Sequence, residues 1–130
     1  MPGPFIFIAS NRLRAGRFGA EQQRVPGLSR FIEENEPQLV AFNEYANEVL
    51  SEVSVVQVHP DAASMEYHLS LIGDRAREAY AQTIQATTRI QVFGTPTGNI
   101  LRMLDQLAGS GVPLSIYPHH IGGFSRMPEG

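Results

Sequence analysis

The sequence predicts an α+β fold of the ferredoxin-like type, in which an antiparallel sheet carries helices on one face. Strand-like and helix-like segments follow the order β-α-β-β-α-β, with a further helix and strand at the C-terminal end, and this is the split βαβ arrangement. The 130 residues fit a single domain covering residues 1–130. Apolar residues make up 42% of the chain and charged residues 18%, which is typical of a globular protein with its own core.

The first third of the chain predicts a strand, a loop and a helix. Phe5 to Ala9 is a short apolar run and indicates a strand buried on both faces. Arg12 to Gly19 predicts a loop. Helical spacing of apolar residues covers Ala20 to Asn35, and Pro26 indicates either a kink or the start of this helix. Pro37 ends the helix because the residue before a proline avoids the helical conformation.

Two segments that follow predict a β-hairpin. The side chains of Gln38 to Tyr45 alternate between two faces, as they do in a strand. Phe42 and Glu44 lie on one predicted face of this strand and Asn43 lies on the other. Glu52 to His59 is rich in valine and follows after a short connection, as the second strand of a hairpin does.

The next segments predict a second helix and a fourth strand. Asp61 suits the N-cap of the helix, since its side chain can accept from a free backbone N–H. Gly73-Asp74 predicts a break, after which a second helical segment runs from Arg75 to about Ile84. Thr88 to Gly94 predicts the strand.

The C-terminal part predicts one more helix and one more strand. Thr95-Pro96 begins the helix and Gly109 is its stop signal. Val112 to Pro118 predicts the last strand, and His119 to Gly130 predicts a tail.

Composition excludes several classes of function. The chain has no cysteine, which excludes disulfides and thiolate metal sites. Its formal charge of −3 argues against a nucleic-acid partner. The longest apolar run, Phe5 to Ala9, is far shorter than the ~20 residues that cross a bilayer, so we expect a cytoplasmic protein with no membrane partner. His119 and His120 are neighbours on an extended segment and point to opposite faces, so we predict no metal site there.

Two stretches of the chain resemble a known family. Glu34 to Tyr45, followed by Val53 to Leu69, is similar to the antibiotic-biosynthesis-monooxygenase-like proteins of the dimeric α+β barrel superfamily. In that family a helix ends in a short acidic turn, a hairpin follows, and its second strand runs into a helix bearing His-Leu, here His68-Leu69. The resemblance covers residues 4 to 95 in the order of elements.

The resemblance implies a homodimer whose two sheets form a barrel, with a small-molecule pocket between sheet and helices in each protomer. Some members are cofactor-free oxygenases of phenols or quinols, and relatives degrade haem. The chain has no tryptophan, whereas members that oxidise aromatic polyketides or degrade haem use one in the pocket. The haem-ligating histidine would fall near Ala79 or Tyr80, so we expect neither haem nor another cofactor.

The resemblance therefore implies a cofactor-independent monooxygenase of a small phenolic or quinol-like substrate. We predict that His68 removes the phenolic proton and that Arg89 or Asn43 holds the oxyanion, with Asn11 a further candidate for orienting a substrate oxygen. The predicted substrate-binding residues are Phe7, Phe42, Tyr45, Val56, Met65, Tyr67 and Phe93. The alternative is a non-catalytic small-molecule-binding or structural homodimer, in which His68 is a packed histidine and Arg89 a solvated one.

Overall fold

A computed structural model of the chain describes residues 3–126. Within this range the protein is α+β, with a five-stranded, mostly antiparallel sheet and three helices, so the predicted ferredoxin-like fold class is confirmed. The elements in chain order are β1 (Phe5–Leu13), α1 (Phe18–Asn35), β2 (Ala41–Asn47), β3 (Glu52–His59), α2 (Ala62–Gln82), β4 (Ile84–Phe93), α3 (Gly98–Ala108) and β5 (Leu114–Tyr117). The predicted tail ends in residues 127–130, which lie outside the described residues.

The sheet has the strand order β2-β3-β1-β4-β5, and only the pairing of β4 with β5 is parallel. Strand β1 lies at the centre, with Phe7 opposite both Gln57 and Val92. Side chains alternate along a strand, so Phe7 and Asn11 share one face. The helices pack on this face, which we call the covered face. The opposite one, which carries Ile8, is the bare face.

Strand β1 is longer than the sequence predicts. Ser10 and Asn11 continue the strand instead of ending it, because each finds a polar partner on a neighbouring strand. Ser10 Oγ lies 3.0 Å from Ser54 Oγ, and Asn11 accepts a hydrogen bond from Thr87. The same pairing extends β4 upstream of the predicted Thr88.

The predicted break of α2 at Gly73 is wrong, and so is a start of α1 at Pro26. Helix α2 passes through Gly73 without a break, because Leu69 before it and Ala79 after it are buried, and this burial outweighs the ~1 kcal/mol cost of a glycine inside a helix. Helix α1 likewise contains Pro26 in its interior. Glu21 before the proline and Ile32 after it are both buried and hold the two halves in place.

Two of the predicted helix ends, at Asp61 and Gly109, are confirmed. Asp61 is the N-cap of α2 and accepts from the Ser64 backbone N–H at 2.9 Å. Gly109 ends α3 with a φ of 89°, a conformation that favours glycine. The start of α3 is two residues later than predicted, because Thr97 rather than Thr95 supplies the capping oxygen.

The apolar core divides into two clusters on the covered face. The larger cluster joins β1 and β4 to α2 and α3, and it consists of Phe5, Phe7, Met65, Leu69, Ile90, Val92, Ile100 and Leu104. The smaller one consists of Leu13, Val53, Ala79 and Ile84. Members of both clusters form part of the wall of a cavity. None of the described helices has the length and apolar character needed to cross a membrane.

Candidate functional site

The cavity lies between the covered face and the three helices and has a volume of about 120 Å³. For comparison, an engineered cavity of about 150 Å³ binds benzene. Most of its wall is apolar, with Phe7, Leu28, Phe42, Ile72 and Leu107 among the residues that form it. Its size and lining therefore suit a small ring-sized ligand. The polar wall includes two groups of side chains. The histidine end has Gln57 and His68, with Glu36 bound to His68, and the carboxyl end has Asn11 and Glu44, with Glu21 beside Glu44. The other polar residues of the wall are Arg24, Arg75, Tyr80 and Thr87.

At the histidine end, His68 of α2 is bound to Glu36, the residue that caps the C-terminus of α1. The His68 Nδ1 to Glu36 Oε2 distance is 2.7 Å, and both side chains are 2% exposed. Because a carboxylate accepts, Nδ1 is the donor, and Nε2 remains the nitrogen that can meet a ligand. His68 lines the cavity beside Phe42, whose ring centroid is 6.0 Å from its own.

A second histidine, His59, holds the side-chain amide of Gln57 in place. His59 is fully buried, and burial together with the nearby His68 lowers its pKa to about 3, so it is neutral. Its Nε2 donates to Gln57 Oε1 at 2.9 Å, and its Nδ1 accepts from Ser64 Oγ at 2.7 Å. With its oxygen occupied, Gln57 offers its amide N–H groups as the donors on the cavity wall.

At the carboxyl end, two glutamates share one negative charge. Glu21 accepts two hydrogen bonds from Arg24, at 2.9 and 2.7 Å, and one from Thr83 at 2.7 Å. Burial raises the pKa of Glu21, but hydrogen bonds from Glu44, Arg24 and Thr83 outweigh it and lower the pKa overall. Burial and the adjacent Glu21 raise the pKa of Glu44 to about 9. Glu44 is therefore a neutral acid at neutral pH, and Glu21 carries the charge.

Asn11 completes the carboxyl end. Thr87 Oγ1 donates to Asn11 Oδ1 at 2.6 Å, and Tyr80 hydrogen-bonds Thr87 in turn. Burial raises the pKa of Tyr80, which keeps its hydroxyl protonated. Asn11 is 5% exposed and lines the cavity, so its oriented amide N–H groups face the ligand space.

Four of the eleven predicted site residues line this cavity, namely Phe7, Asn11, Phe42 and His68. The structure corrects the placement of Arg89 and Asn43, which lie on the bare face. Asn43 lies between Phe42 and Glu44, the two residues of β2 that line the cavity. Arg89 is exposed and directly precedes the buried Ile90. Side chains alternate along a strand, so neither residue can contact a ligand in the cavity.

The remaining predicted residues also lie elsewhere. Val56 and Phe93 are on the bare face, where the Phe93 ring stacks on Tyr117 at 5.0 Å. Met65 is fully buried in the larger core cluster. Tyr45 and Tyr67 are exposed, and the Tyr67 hydroxyl donates to the Asn35 carbonyl.

Three further residues belong to the site and were not predicted from the sequence, namely Glu36, Gln57 and Glu44. A signal existed for Glu44, since its alternation with Phe42 places both on one face. No comparable signal exists for Glu36, because its role depends on the packing of α1 against α2. His119 and His120 are exposed, and the described part of the chain brings no third metal-ligating side chain to them.

Comparison with known proteins yields structural neighbours only. No family model and no curated protein matches the chain. MupZ from Pseudomonas fluorescens superposes with a TM-score of 0.71 at 17% sequence identity, over 95% of this chain and 95% of that chain. PA3566 from Pseudomonas aeruginosa superposes with a TM-score of 0.55 at 20% identity, over 71% of this chain and 93% of that chain. At these identities the likeness shows the fold alone.

The protonated state of Glu44 predicts a pH dependence of stability. In the unfolded chain Glu44 loses its proton near its ordinary pKa of 4.5, whereas the native protein keeps it to about 9. The native state therefore binds more protons between these values, and the free energy of unfolding falls as pH rises, by up to about 1.4 kcal/mol per pH unit. Glu44→Gln, which is neutral at every pH, should flatten this fall in denaturant unfolding curves measured from pH 7 to 9, above the range in which His59 of the unfolded chain titrates.

Glu48→Gln is the matched control, because Glu48 is exposed in the loop between β2 and β3. It should keep the wild-type pH dependence. Parallel curves for wild type and Glu44→Gln would show that Glu44 ionises normally in the native protein.

Proposed function

We propose that this protein is a cofactor-independent monooxygenase of a small phenolic or quinol-like substrate. The observation that carries the proposal is His68, which lies on the wall of an apolar cavity with Nδ1 bound to the buried Glu36. This arrangement leaves Nε2 as the ring nitrogen that can accept a proton from a ligand. A catalytic role is supported because the Glu36 carboxylate orients His68 as a base.

In the proposed reaction, His68 Nε2 accepts the proton of the substrate hydroxyl. The Gln57 amide donates to the oxyanion that results, and it does so in the orientation that His59 imposes. Gln57 thus takes the role that the sequence analysis gave to Arg89 or Asn43. Glu36 is a positioning residue, because it acts on the substrate only through His68.

Dioxygen is the oxidant, and the substrate itself supplies the electrons. The anion adds to dioxygen at carbon to give a peroxide, which takes up the proton held by His68. His68 then takes the remaining C–H proton as the O–O bond breaks, and it passes this proton to the departing hydroxide, which leaves as water. The sum is a substrate CH₂ group plus O₂ giving C=O plus H₂O, which balances without another reductant.

A non-catalytic role in binding a small molecule is the second candidate. The predominantly apolar wall favours it, since such a wall binds apolar ligands without chemistry. The polar groups at the histidine end favour the enzyme, because Glu36 and His68 are both buried at a cost in desolvation that a simple binding pocket does not require.

His68→Ala should lower turnover by about 10²–10⁴-fold if His68 is the general base. The assay is oxygen uptake during a screen of hydroquinones and anthrones. His119→Ala is the matched control, because His119 is exposed, and it should leave the rate unchanged. Glu36→Gln should lower kcat and change its pH profile, as expected for a group that acts through His68. Equal rates for His68→Ala and wild type would remove His68 from the mechanism.

A homodimer through the bare face is part of the proposal. Ile6 is opposite Val58 and Ile8 is opposite Val56, so four apolar side chains form one patch at the centre of the bare face. An apolar patch on a sheet face is normally buried against another layer of structure. No helix of the described residues packs on the bare face. A second copy presents the same patch, as a two-fold interface requires.

Light scattering at micromolar concentration should therefore give the mass of a dimer. Val56→Asp places a charge in the centre of the patch and should yield monomers, because burying an unpaired carboxylate is costly. Val49→Asp, at an exposed position of the loop between β2 and β3, should remain dimeric. A monomeric wild type would contradict the dimer while leaving the cavity proposal intact.

A further inference from the structure

We infer that the cavity binds a ligand with a carboxylate group, which Arg75 of α2 holds at the cavity rim. The rim is the part of the wall that reaches the surface between α1 and α2. The inference rests on the proposed function for the position of the ligand hydroxyl, at His68, and it adds a second recognised group. The substrate class then narrows to phenols that carry a short acid side chain.

Helices α1 and α2 run antiparallel over the cavity, and the rim lies between them. Glu36 at the end of α1 meets His68 in the first half of α2. Glu21 at the start of α1 meets Thr83 at the end of α2. Arg75 lies between these two contacts, and it is exposed although it lines the cavity. The cavity therefore reaches the surface beside Arg75.

The Arg75 guanidinium group is held in place by an aromatic ring of the neighbouring helix. Its central carbon lies 3.6 Å from the ring centroid of Phe31 in α1. Phe31 lies outside the residues that form the cavity wall, so the Arg75 side chain crosses from the wall to α1 at the rim. Stacking uses the flat face of a guanidinium group and leaves the N–H groups at its edge. Two such groups match the two oxygens of a carboxylate.

Arg75 forms no ion pair with any acidic side chain in the described part of the chain. Asp74, its neighbour in sequence, pairs with Arg77 instead. The second arginine of the wall, Arg24, is bound to both carboxylate oxygens of Glu21. Arg75 is thus the guanidinium group of the wall that the described residues leave free for an anionic ligand.

The hydroxyl and the carboxylate of one ligand can reach His68 and Arg75 together. The two residues are seven positions apart on α2, with Ile72 between them, and all three line the cavity from one helix face. Seven residues of a helix rise about 10 Å. A phenol with a short acid side chain at the para position carries its polar groups at opposite ends. Its ring then occupies the apolar space between His68 and the rim.

The test compares two ligands of the same shape by titration calorimetry of the full chain. Para-hydroxyphenylacetate is an anion, and para-hydroxyphenylacetamide is its neutral analogue. Wild type should bind the acid about fivefold more tightly, as expected for an ion pair at an exposed position. Arg75→Gln should remove this preference, because the side chain stays polar and loses its charge. Salt at about 1 M should also reduce the preference in wild type, because the Debye length falls to ~3 Å.

Two further variants separate the contact from a general charge effect. Arg77→Gln is the matched control, since Arg77 is exposed on the same helix and pairs with Asp74, and it should keep the preference. Phe31→Leu should lose part of the preference, because the guanidinium group loses the ring that holds it.

Two results would overturn the inference and leave His68 as the proposed base. One is equal affinity of wild type for the acid and the amide, and the other is an undiminished preference in Arg75→Gln. Failure of wild type to bind either probe would contradict the inference and the proposed function together. A preference that depends on Arg75, combined with unchanged turnover in His68→Ala, would support the carboxylate site and contradict the proposed base.

Discussion

The hydrogen bond between Glu36 and His68 is the interaction on which the site depends. It joins the end of α1 to the middle of α2 at 2.7 Å, in a region from which water is excluded. Removing either partner leaves the other buried and unsatisfied, which costs several kcal/mol for an ionised group. The second oxygen of Glu36 has no partner among the described residues. This unsatisfied oxygen indicates that Glu36 is held where it is for the sake of His68.

Two other polar side chains of the cavity wall, Gln57 and Asn11, are also oriented by a hydrogen-bond partner. His59 orients Gln57, and Thr87 orients Asn11. In each case the amide oxygen is occupied by this partner, so the amide N–H groups are the donors left for a ligand. The single negative charge of Glu21 is balanced by Arg24. A mostly apolar cavity with these fixed donors suits a ligand that carries oxygen groups.

Much of the fold follows from local sequence signals. The hairpin of β2 and β3, the Asp61 cap and the Gly109 stop depend on alternation and capping, which act over a few residues. The predicted break at Gly73 and the predicted helix start at Pro26 were wrong for a different reason. The burial of residues on both sides of each is a tertiary effect, and it overrides the local preference of glycine and proline.

The site was less predictable than the fold, because it depends on which face each strand presents. Phe42 and His68 followed from their own patterns. Arg89 did not, since it alternates with Ile90 and Val92, whose side chains are buried on the covered face. Glu36 lies 32 positions before His68, and only the packing of two helices brings them together.

The tautomer of His68 tests the central claim most directly. If Glu36 orients His68 for catalysis, the neutral imidazole carries its proton on Nδ1 and has its lone pair on Nε2. Nitrogen-15 NMR of the imidazole rings distinguishes the two tautomers, and Glu36→Leu assigns the effect to the carboxylate. The account predicts the Nδ1–H tautomer in wild type and its loss in Glu36→Leu. A neutral His68 that carries its proton on Nε2 would contradict the account, since the nitrogen facing the ligand would then be a donor and not a base.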